Sequence, residues 1–282
     1  MISSMIWQAR SKRHSGGDEM IVNVTGNDAF LFTNGRDFDV EKPTILFVHG
    51  AGMDHSVWTL QARYFAHHGA NAMAVDLPGH GRSEGPPLPS IEAMGDWVAA
   101  LTDALVADRA VLVGHSMGAL ICLDAASRHS DKVKQLALLG AAPAMPVHPA
   151  LLEAAEANRP LAAELVSSWG HGPTGHIGGN LAPGGWLMGH ALKLLAKAPA
   201  NVLHNDLSAC NAYERGAAAA DSVRCPTLII SGSQDRMTPA KQGAFLANAI
   251  DDARLVTIEG SGHLMLVEKP DATLDALIDV LP

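Results

Sequence analysis

The sequence has few cysteines, and their spacing suits neither a metal site nor a disulfide framework. Three cysteines occur in 282 residues, and an odd number without regular spacing argues against paired bridges and against zinc. Cys122 is expected on a buried helix and Cys225 just before a strand, where each packs as a small apolar residue. Because free thiols fit a reducing compartment, the sequence predicts a cytoplasmic protein.

Long apolar segments and an excess of basic residues are also missing. No run of about 18 apolar residues is present, which is the length that a membrane-spanning helix needs. Lys and Arg number 20 against 29 Asp and Glu, for a formal charge of -9. We therefore expect no basic surface for nucleic acid or for an anionic membrane. The expected partner is a small-molecule substrate, and the expected state is a monomer or a homodimer.

The N-terminus lacks the order of a secretory signal. Arg10, Lys12 and Arg13 follow a short apolar stretch, whereas a signal peptide places its charges before a longer apolar run. Residues 1–19 are expected to form a flexible extension. The rest of the chain contains no internal repeat and no low-complexity linker, and its 48% hydrophobic and 17% charged residues favour a compact core.

The remaining sequence alternates short apolar runs with helical patterns. The runs are largely apolar, as in strands of a parallel sheet that are buried on both faces. They comprise residues 44–48, 72–76, 110–113, 133–139, 227–230 and 255–258. The helical patterns comprise about 56–68, 91–107, 117–129, 239–250 and 270–281. This order predicts an α/β fold with helices on both faces of a mostly parallel sheet, and an antiparallel hairpin at about 20–33 on one edge.

The alternation stops between residues 143 and 222. Helical patterns there (149–168, 186–198 and 201–213) surround a glycine-rich loop at 170–189. No buried strand interrupts them, which predicts a helical insertion, at 143–222, over one end of a core formed by 20–142 and 223–282. The insertion contains several histidines with irregular spacing and no neighbouring cysteine, so no metal site is predicted. They are His171, His176 and His190.

The clearest chemical motif follows the predicted strand at 110–113. Residues 114–118 read GHSMG, a G-x-S-x-G pattern between a strand and a helix, which is the context that holds a nucleophilic serine. The serine sits in a tight, strained turn with its hydroxyl above the sheet. Side chains two positions before and after it would collide with the neighbouring chain, so both positions are glycine. Ser116 is therefore the predicted nucleophile.

A serine hydroxyl needs a base to take its proton, and the base needs a carboxylate that orients it. His263 follows the last predicted strand in a glycine-flanked loop, which suits an imidazole that points back across the strand ends. Asp235 follows the preceding strand, and the loop after Leu139 offers no carboxylate. We predict His263 as general base and Asp235 as its acid; the alternative for Asp235 is a cap of the helix after Pro239.

The oxyanion of a tetrahedral intermediate needs preorganised hydrogen-bond donors, each of which contributes about 10²–10³-fold in rate. One predicted donor is the backbone N–H of Met117, at the start of a helix whose dipole favours negative charge. The other is the backbone N–H of Ala51, in the loop 49–52 (sequence HGAG), where glycines let the backbone approach closely. The alternative for that loop is an ordinary tight turn.

In this order the motifs resemble those of the α/β-hydrolase superfamily, over about residues 25–282. The chain order serine, aspartate, histidine is typical of that superfamily. The matching features are His49-Gly50 with Trp58 downstream, DLPGHGRS at 76–83, the motif at 114–118, GSQD at 232–235, and Gly262-His263. The resemblance implies an α/β-hydrolase fold with a helical cap and a serine esterase or lactonase activity, without metal or organic cofactor. It also implies that 76–83 is a structural turn.

The identity of the nucleophile narrows the implied chemistry. Haloalkane dehalogenases and epoxide hydrolases of this superfamily use an aspartate at the same turn, whereas Ser116 favours acyl transfer from an ester, lactone, thioester or amide. Carbon–carbon bond hydrolases, acyltransferases and cofactor-free haloperoxidases share the three residues, and a non-catalytic receptor is a further alternative. The apolar cap helices, with Trp186 and Met188 as predicted substrate contacts, indicate a small hydrophobic substrate.

Overall fold

One mixed sheet of eight strands organises the chain, whose computed structural model describes residues 17–105, 107–176 and 185–281. The strands are β1 (Glu19–Val24), β2 (Asn27–Phe32), β3 (Thr44–Val48), β4 (Asn71–Val75), β5 (Ala110–His115), β6 (Val133–Leu139), β7 (Thr227–Gly232) and β8 (Ala253–Ile258). Their order across the sheet is β1-β2-β4-β3-β5-β6-β7-β8. In this order, every neighbouring pair from β4-β3 through β7-β8 is parallel, whereas the pairs β1-β2 and β2-β4 are antiparallel. The predicted α/β fold with an edge hairpin is confirmed.

Helices lie on both faces of this sheet, and a further group of helices lies between β6 and β7 in the chain. They are α1 (Thr59–His67), α2 (Ile91–Ala104), α3 (Met117–Arg128), α4 (Pro149–Glu156), α5 (Pro160–Gly170), α6 (Pro173–His176), α7 (Leu187–Leu195), α8 (Val202–Ala212), α9 (Gly216–Ser222), α10 (Ala240–Ala249), α11 (Met265–Glu268) and α12 (Pro270–Ile278). None of the helices in the described ranges is both long and apolar enough to cross a lipid bilayer.

Strand β3 shows how the sheet separates two hydrophobic cores. Its side chains alternate between faces with a period of two: Leu46 and Val48 pack with α2 and α3, while Ile45 and Phe47 pack with α1 and α12. All four are fully buried, which explains why the sequence of the strand is continuously apolar. Because β3 and β5 to β8 are parallel, their carboxyl ends meet at one edge of the sheet, and the loops that follow them are neighbours.

The segment between β6 and β7 differs in detail from its prediction. The helix predicted at 149–168 is two helices, because Asn158 adopts a φ of 50° between them and Pro160 begins the second. Helix α9 was not predicted. The expected glycine-rich loop contains the short helix α6, and its residues 177–184 lie outside the described residues.

The expected N-terminal extension also lies mostly outside the described residues, which begin at residue 17. Within the described part, Glu19 belongs to β1 and pairs with Phe32. Of the three free cysteines, Cys122 and Cys210 are buried. Burial raises the pKa of both thiols, so neither is a reactive thiolate at neutral pH.

Candidate active site

Ser116 lies in the turn between β5 and α3. Its φ of 56° and ψ of -119° fall outside the regions that residues with side chains favour, and such strain persists only where the surrounding structure enforces it. The Ser116 N–H donates to the Leu139 carbonyl of β6 at 2.9 Å. The strained turn is therefore anchored to the sheet.

The two glycines of this turn are required by close backbone approaches. A Cβ on Gly114 would lie 2.2 Å from the Gly118 carbonyl oxygen, and a Cβ on Gly118 would lie 2.3 Å from the Val48 carbonyl oxygen. Real Cβ atoms do not approach backbone this closely, so the glycine requirement stated from the sequence has a direct steric cause in the structure.

His263 and Asp235 are hydrogen-bonded to each other at the edge of the sheet where Ser116 lies. Asp235 follows β7, His263 follows β8, and the His263 Nδ1 to Asp235 Oδ2 distance is 2.8 Å. Both residues are buried. The other carboxylate oxygen, Oδ1, accepts the N–H groups of Met237 and Thr238, each at 2.8 Å. The carboxylate is thus fixed by the chain that follows it.

The protonation of this pair follows from the surroundings of Asp235. Burial raises the pKa of Asp235, but the charge and hydrogen bond of His263 and the donors of Thr238 outweigh burial and hold that pKa below its usual value. An ionised carboxylate only accepts hydrogen bonds, so His263 Nδ1 must carry the proton that joins them. In the neutral imidazole, His263 Nε2 is then an acceptor.

A cavity of about 420 Å³ connects this histidine with the serine. Ser116, His263 and Ala51 all line it. His263 Nε2 is buried and has no hydrogen-bond partner among the described residues. No described protein group competes for this nitrogen, so it is free to accept a proton from a hydroxyl in the cavity.

Two side chains outside the predicted set of site residues support the pair. His115 Nε2 lies 2.9 Å from the His263 carbonyl oxygen, and Thr238 Oγ1 donates to Asp235 Oδ2 at 2.7 Å. A threonine three residues after the predicted acid was a usable signal for the second contact, since short polar side chains often bond to a neighbouring turn. Nothing in the sequence signalled that His115 would reach a loop 148 residues away.

The two predicted oxyanion donors flank Ser116. Met117 is the first residue of α3, and amides in the first turn of a helix have no carbonyl partner within the helix. Ala51 lies in a turn closed by the Met53 N–H to Gly50 carbonyl bond of 3.2 Å. A Cβ on Gly50 would lie 3.3 Å from Ser116 Cβ, so this turn is in contact with the serine.

The structure does not bring the two predicted substrate contacts, Trp186 and Met188, to this cavity. Neither is among the described residues that line it. Trp186 is 69% exposed and lines a separate cavity of about 610 Å³, and its indole lies against Gly189. The Met188 carbonyl accepts from Ser167 Oγ at 3.1 Å. The apolar side chains that line the cavity with Ser116 include Met145, Val147, Leu151, Val166, Trp169 and Leu207.

A possible metal-ligating group lies apart from the serine cavity. Among the described residues, Asp54, His55 and Asp76 offer ligand atoms within 4.8 Å of one another. Asp76 already accepts the backbone N–H groups of His55 at 2.7 Å and Arg82 at 2.8 Å, and its side chain contacts the His55 imidazole at 2.9 Å. These bonds show that the Asp76 carboxylate holds the turn at 76–83 together, as a structural residue would.

Two buried histidines beside the site predict acid sensitivity. Burial and the nearby His80 lower the pKa of His49 to about 4, and burial and the nearby His263 lower the pKa of His115 to about 3. Below about pH 6.5 these two imidazoles bind protons in the unfolded chain but stay neutral in the folded chain. For these two imidazoles the free energy of unfolding should therefore fall between pH 7 and pH 5, with a slope of up to about 1.4 kcal/mol per pH unit for each. His80, whose pKa is raised in the folded chain by the hydrogen bond and charge of Asp206 against the effect of burial, acts in the opposite sense near neutral pH and reduces the total.

Urea unfolding at pH 7, 6 and 5 measures this effect. The variant His190→Asn serves as control, because His190 is exposed and its removal should leave the slope unchanged. An unfolding free energy that is constant between pH 7 and pH 5 would contradict the assignment of His49 and His115 as neutral buried groups.

The family match agrees with the fold and with this geometry. The chain matches the family described as alpha/beta hydrolase fold over residues 43–270. It therefore belongs to the alpha/beta-hydrolase family, as the sequence motifs predicted.

Individual relatives are similar over most of their length. The chain is 31% identical over 261 residues to a pimeloyl-[acyl-carrier protein] methyl ester esterase of Aromatoleum aromaticum, covering 86% of this chain and 99% of that one. It is 28% identical to a 3-oxoadipate enol-lactonase of Acinetobacter baylyi, covering 89% and 92%. A crystal structure of an enol-lactonase from Burkholderia xenovorans superposes with a TM-score of 0.80 at 26% identity, covering 92% and 98%. These names are those of ester-bond hydrolases, which confirms the prediction of a hydrolase.

Proposed function

We propose that the chain is a serine hydrolase that cleaves a carboxylic ester or lactone through an acyl-enzyme intermediate. The observation that carries the proposal is the state of His263: Nδ1 is bound to Asp235 at 2.8 Å, while Nε2 is unpartnered among the described residues in the cavity that Ser116 also lines. An imidazole held in this tautomer next to a serine is the arrangement that general-base activation of a hydroxyl requires.

In the first half-reaction Ser116 Oγ attacks the acyl carbonyl carbon, and its proton passes to His263 Nε2. The carbonyl electrons move to the oxygen, which accepts hydrogen bonds from the Ala51 and Met117 N–H groups. The imidazolium that forms is stabilised by Asp235. Collapse of the intermediate then breaks the bond to the alcohol, which takes the proton from His263 and leaves an ester on Ser116.

In the second half-reaction water replaces the alcohol. Water attacks the ester carbonyl while His263 takes one of its protons, and collapse of the second intermediate returns that proton to Ser116 Oγ as the acid departs. Each step moves only protons and an acyl group, so the reaction as proposed requires no metal and no organic cofactor.

The cavity supports a small, largely hydrophobic substrate. Its volume of about 420 Å³ lies at the lower end of the range for small-molecule sites, and most of its lining is apolar. Much of that lining comes from α4, α5 and α8, so residues 143–222 act in this proposal as a cap that shapes the pocket over Ser116. The names of the relatives, which act on a methyl ester and on an enol-lactone, favour the same bond type.

We also propose a cytoplasmic enzyme without a membrane or nucleic-acid partner. Its three cysteines are free, which fits a reducing compartment. The formal charge of -9 gives no general attraction to phosphate. A monomer and a homodimer are both consistent with this proposal.

A substrate panel tests the bond type. Purified protein is offered p-nitrophenyl butyrate, a small aliphatic lactone and a vinylogous diketone of the kind released by aromatic ring fission, with Ser116→Ala as blank for each. We expect turnover of the ester or the lactone well above the blank. Turnover of the diketone alone would replace the proposal with carbon–carbon bond hydrolysis.

Covalent labelling separates an enzyme from a receptor on the same fold. A fluorophosphonate should label the wild-type protein once per chain and should leave Ser116→Ala unlabelled. A folded wild-type sample that is neither labelled nor active on the panel would contradict the proposal and favour a non-catalytic binding role.

A further inference from the structure

A buried carboxylate in α8 joins this helix to two separate loops of the core. Asp206 is fully buried. One of its oxygens, Oδ2, accepts the Gly52 N–H at 2.8 Å and contacts His80 Nε2 at 2.8 Å, across 154 and 126 residues of sequence. Since burial of a charge is costly unless it is paired and hydrogen-bonded, these contacts specify how α8 must sit on the core.

The partner histidine supplies the compensating positive charge. His80 is buried, and both its ring nitrogens face acceptors: Nε2 faces Asp206, and Nδ1 lies 3.0 Å from the Pro78 carbonyl oxygen. Burial lowers the pKa of His80, but the hydrogen bond and charge of Asp206 outweigh burial and raise it. An imidazole that donates from both nitrogens is an imidazolium, so the two acceptors that face His80 are the arrangement that an ion pair with Asp206 requires.

The second contact of Asp206 reaches the turn that carries the proposed oxyanion donor. Gly52 is the third residue of the turn that Met53 closes on Gly50, and its φ of 66° is the left-handed conformation that a type II turn requires at this position. Its N–H belongs to the peptide bond that directly follows Ala51. Asp206 therefore fixes the direction of the central peptide of that turn.

Apolar side chains of α7 and α8 pack against Gly52. A Cβ on Gly52 would lie 2.9 Å from Leu203 Cδ1 of α8 and 3.2 Å from Leu195 Cδ2 of α7. The turn is therefore held from the cap side by apolar packing and by one carboxylate, and on its other side it touches Ser116 through Gly50.

We infer that Asp206, paired with His80, is a positioning residue for the oxyanion hole. The ion pair holds the turn 50–53 in the conformation that presents the Ala51 N–H to the oxyanion. The oxyanion hole is therefore complete only when α8 is packed against the core. This inference rests on the proposed function. His80, which was expected only as part of a structural turn, would then also help to position the oxyanion hole through Asp206.

Steady-state kinetics on p-nitrophenyl butyrate test the inference. Asp206→Ala should lower kcat by about 10²-fold, the size of losing one oxyanion donor, and KM should change less than kcat because Asp206 itself does not line the cavity. Asp206→Asn keeps an oxygen that can accept the Gly52 N–H, so it should recover part of the lost kcat. Asp221→Asn, which makes the same chemical change at an exposed position of α9, is the matched control and should behave as wild type.

A spectroscopic measurement covers the case in which Asp206→Ala does not fold. The ¹⁵N NMR signals of the His80 imidazole should report a doubly protonated ring at pH 7 in the wild-type protein and a neutral ring in Asp206→Asn. A neutral His80 in the wild-type protein would overturn the ion pair.

The kinetic outcomes separate this inference from the proposed function. An inactive Ser116→Ala together with a folded Asp206→Ala of normal kcat overturns the inference and leaves the function intact, as does a loss confined to KM. A Ser116→Ala variant as active as wild type overturns both.

Discussion

Ser116→Ala is expected to lower kcat/KM for p-nitrophenyl butyrate by about 10⁴–10⁶-fold. The hydroxyl is the only group at this strained turn that can form the acyl intermediate, and alanine at φ 56° keeps the backbone conformation that Ser116 already adopts. The oxyanion donors remain, so a small residual rate above that of water should persist. Steady-state assays at matched protein concentration measure the change.

The matched control is Ser222→Ala. Ser222 is exposed, lies at the end of α9, and donates only to the Ala218 carbonyl of its own helix at 2.9 Å. This variant should retain wild-type kcat/KM. If Ser116→Ala and Ser222→Ala were equally active, hydrolysis would not depend on the predicted nucleophile, and the mechanism would have to be abandoned.

Asp235→Asn is expected to lower kcat by about 10⁴-fold. An amide NH₂ group at the position of Oδ2 donates to His263 Nδ1, where the carboxylate accepts. The proton of the neutral imidazole then moves to Nε2, which can no longer take the proton of Ser116. Because Asp235 does not line the described cavity, KM should change little.

Kinetics and stability together show whether this loss is chemical. Thermal unfolding should find Asp235→Asn folded at the assay temperature, because the N–H groups of Met237 and Thr238 can still donate to its remaining oxygen. Asp221→Asn again serves as the exposed control. A folded Asp235→Asn with wild-type kcat would show that the 2.8 Å contact with His263 has no part in catalysis.

The parts of the fold with strong local patterns were predictable from the sequence. Strand β3 runs over 44–48 as predicted, because a short, largely apolar run that is buried on both faces leaves no other arrangement at low cost. That Ser116, Asp235 and His263 lie at one edge of the sheet was predictable, because each follows a strand and parallel strands bring their carboxyl ends together. The sheet topology therefore places three residues that are far apart in the sequence close together in the structure.

The rest depends on contacts that local pattern does not encode. Trp186 is apolar and belongs to the cap, yet it is largely exposed, because the direction of a side chain depends on how its segment packs. The contact of Asp206 with Gly52 and His80 joins segments more than 120 residues apart. In the sequence alone, an aspartate that tertiary structure will bury cannot be distinguished from one on the surface.

The most direct test of the central claim is to trap the acyl-enzyme. Wild-type protein is mixed with p-nitrophenyl butyrate, quenched in acid within the first turnover, digested with trypsin and analysed by tandem mass spectrometry. We expect one butyryl group on Ser116, in the tryptic peptide of residues 110–128, and none in His263→Ala. A butyryl group on another residue, or turnover without any acylated peptide, would contradict it.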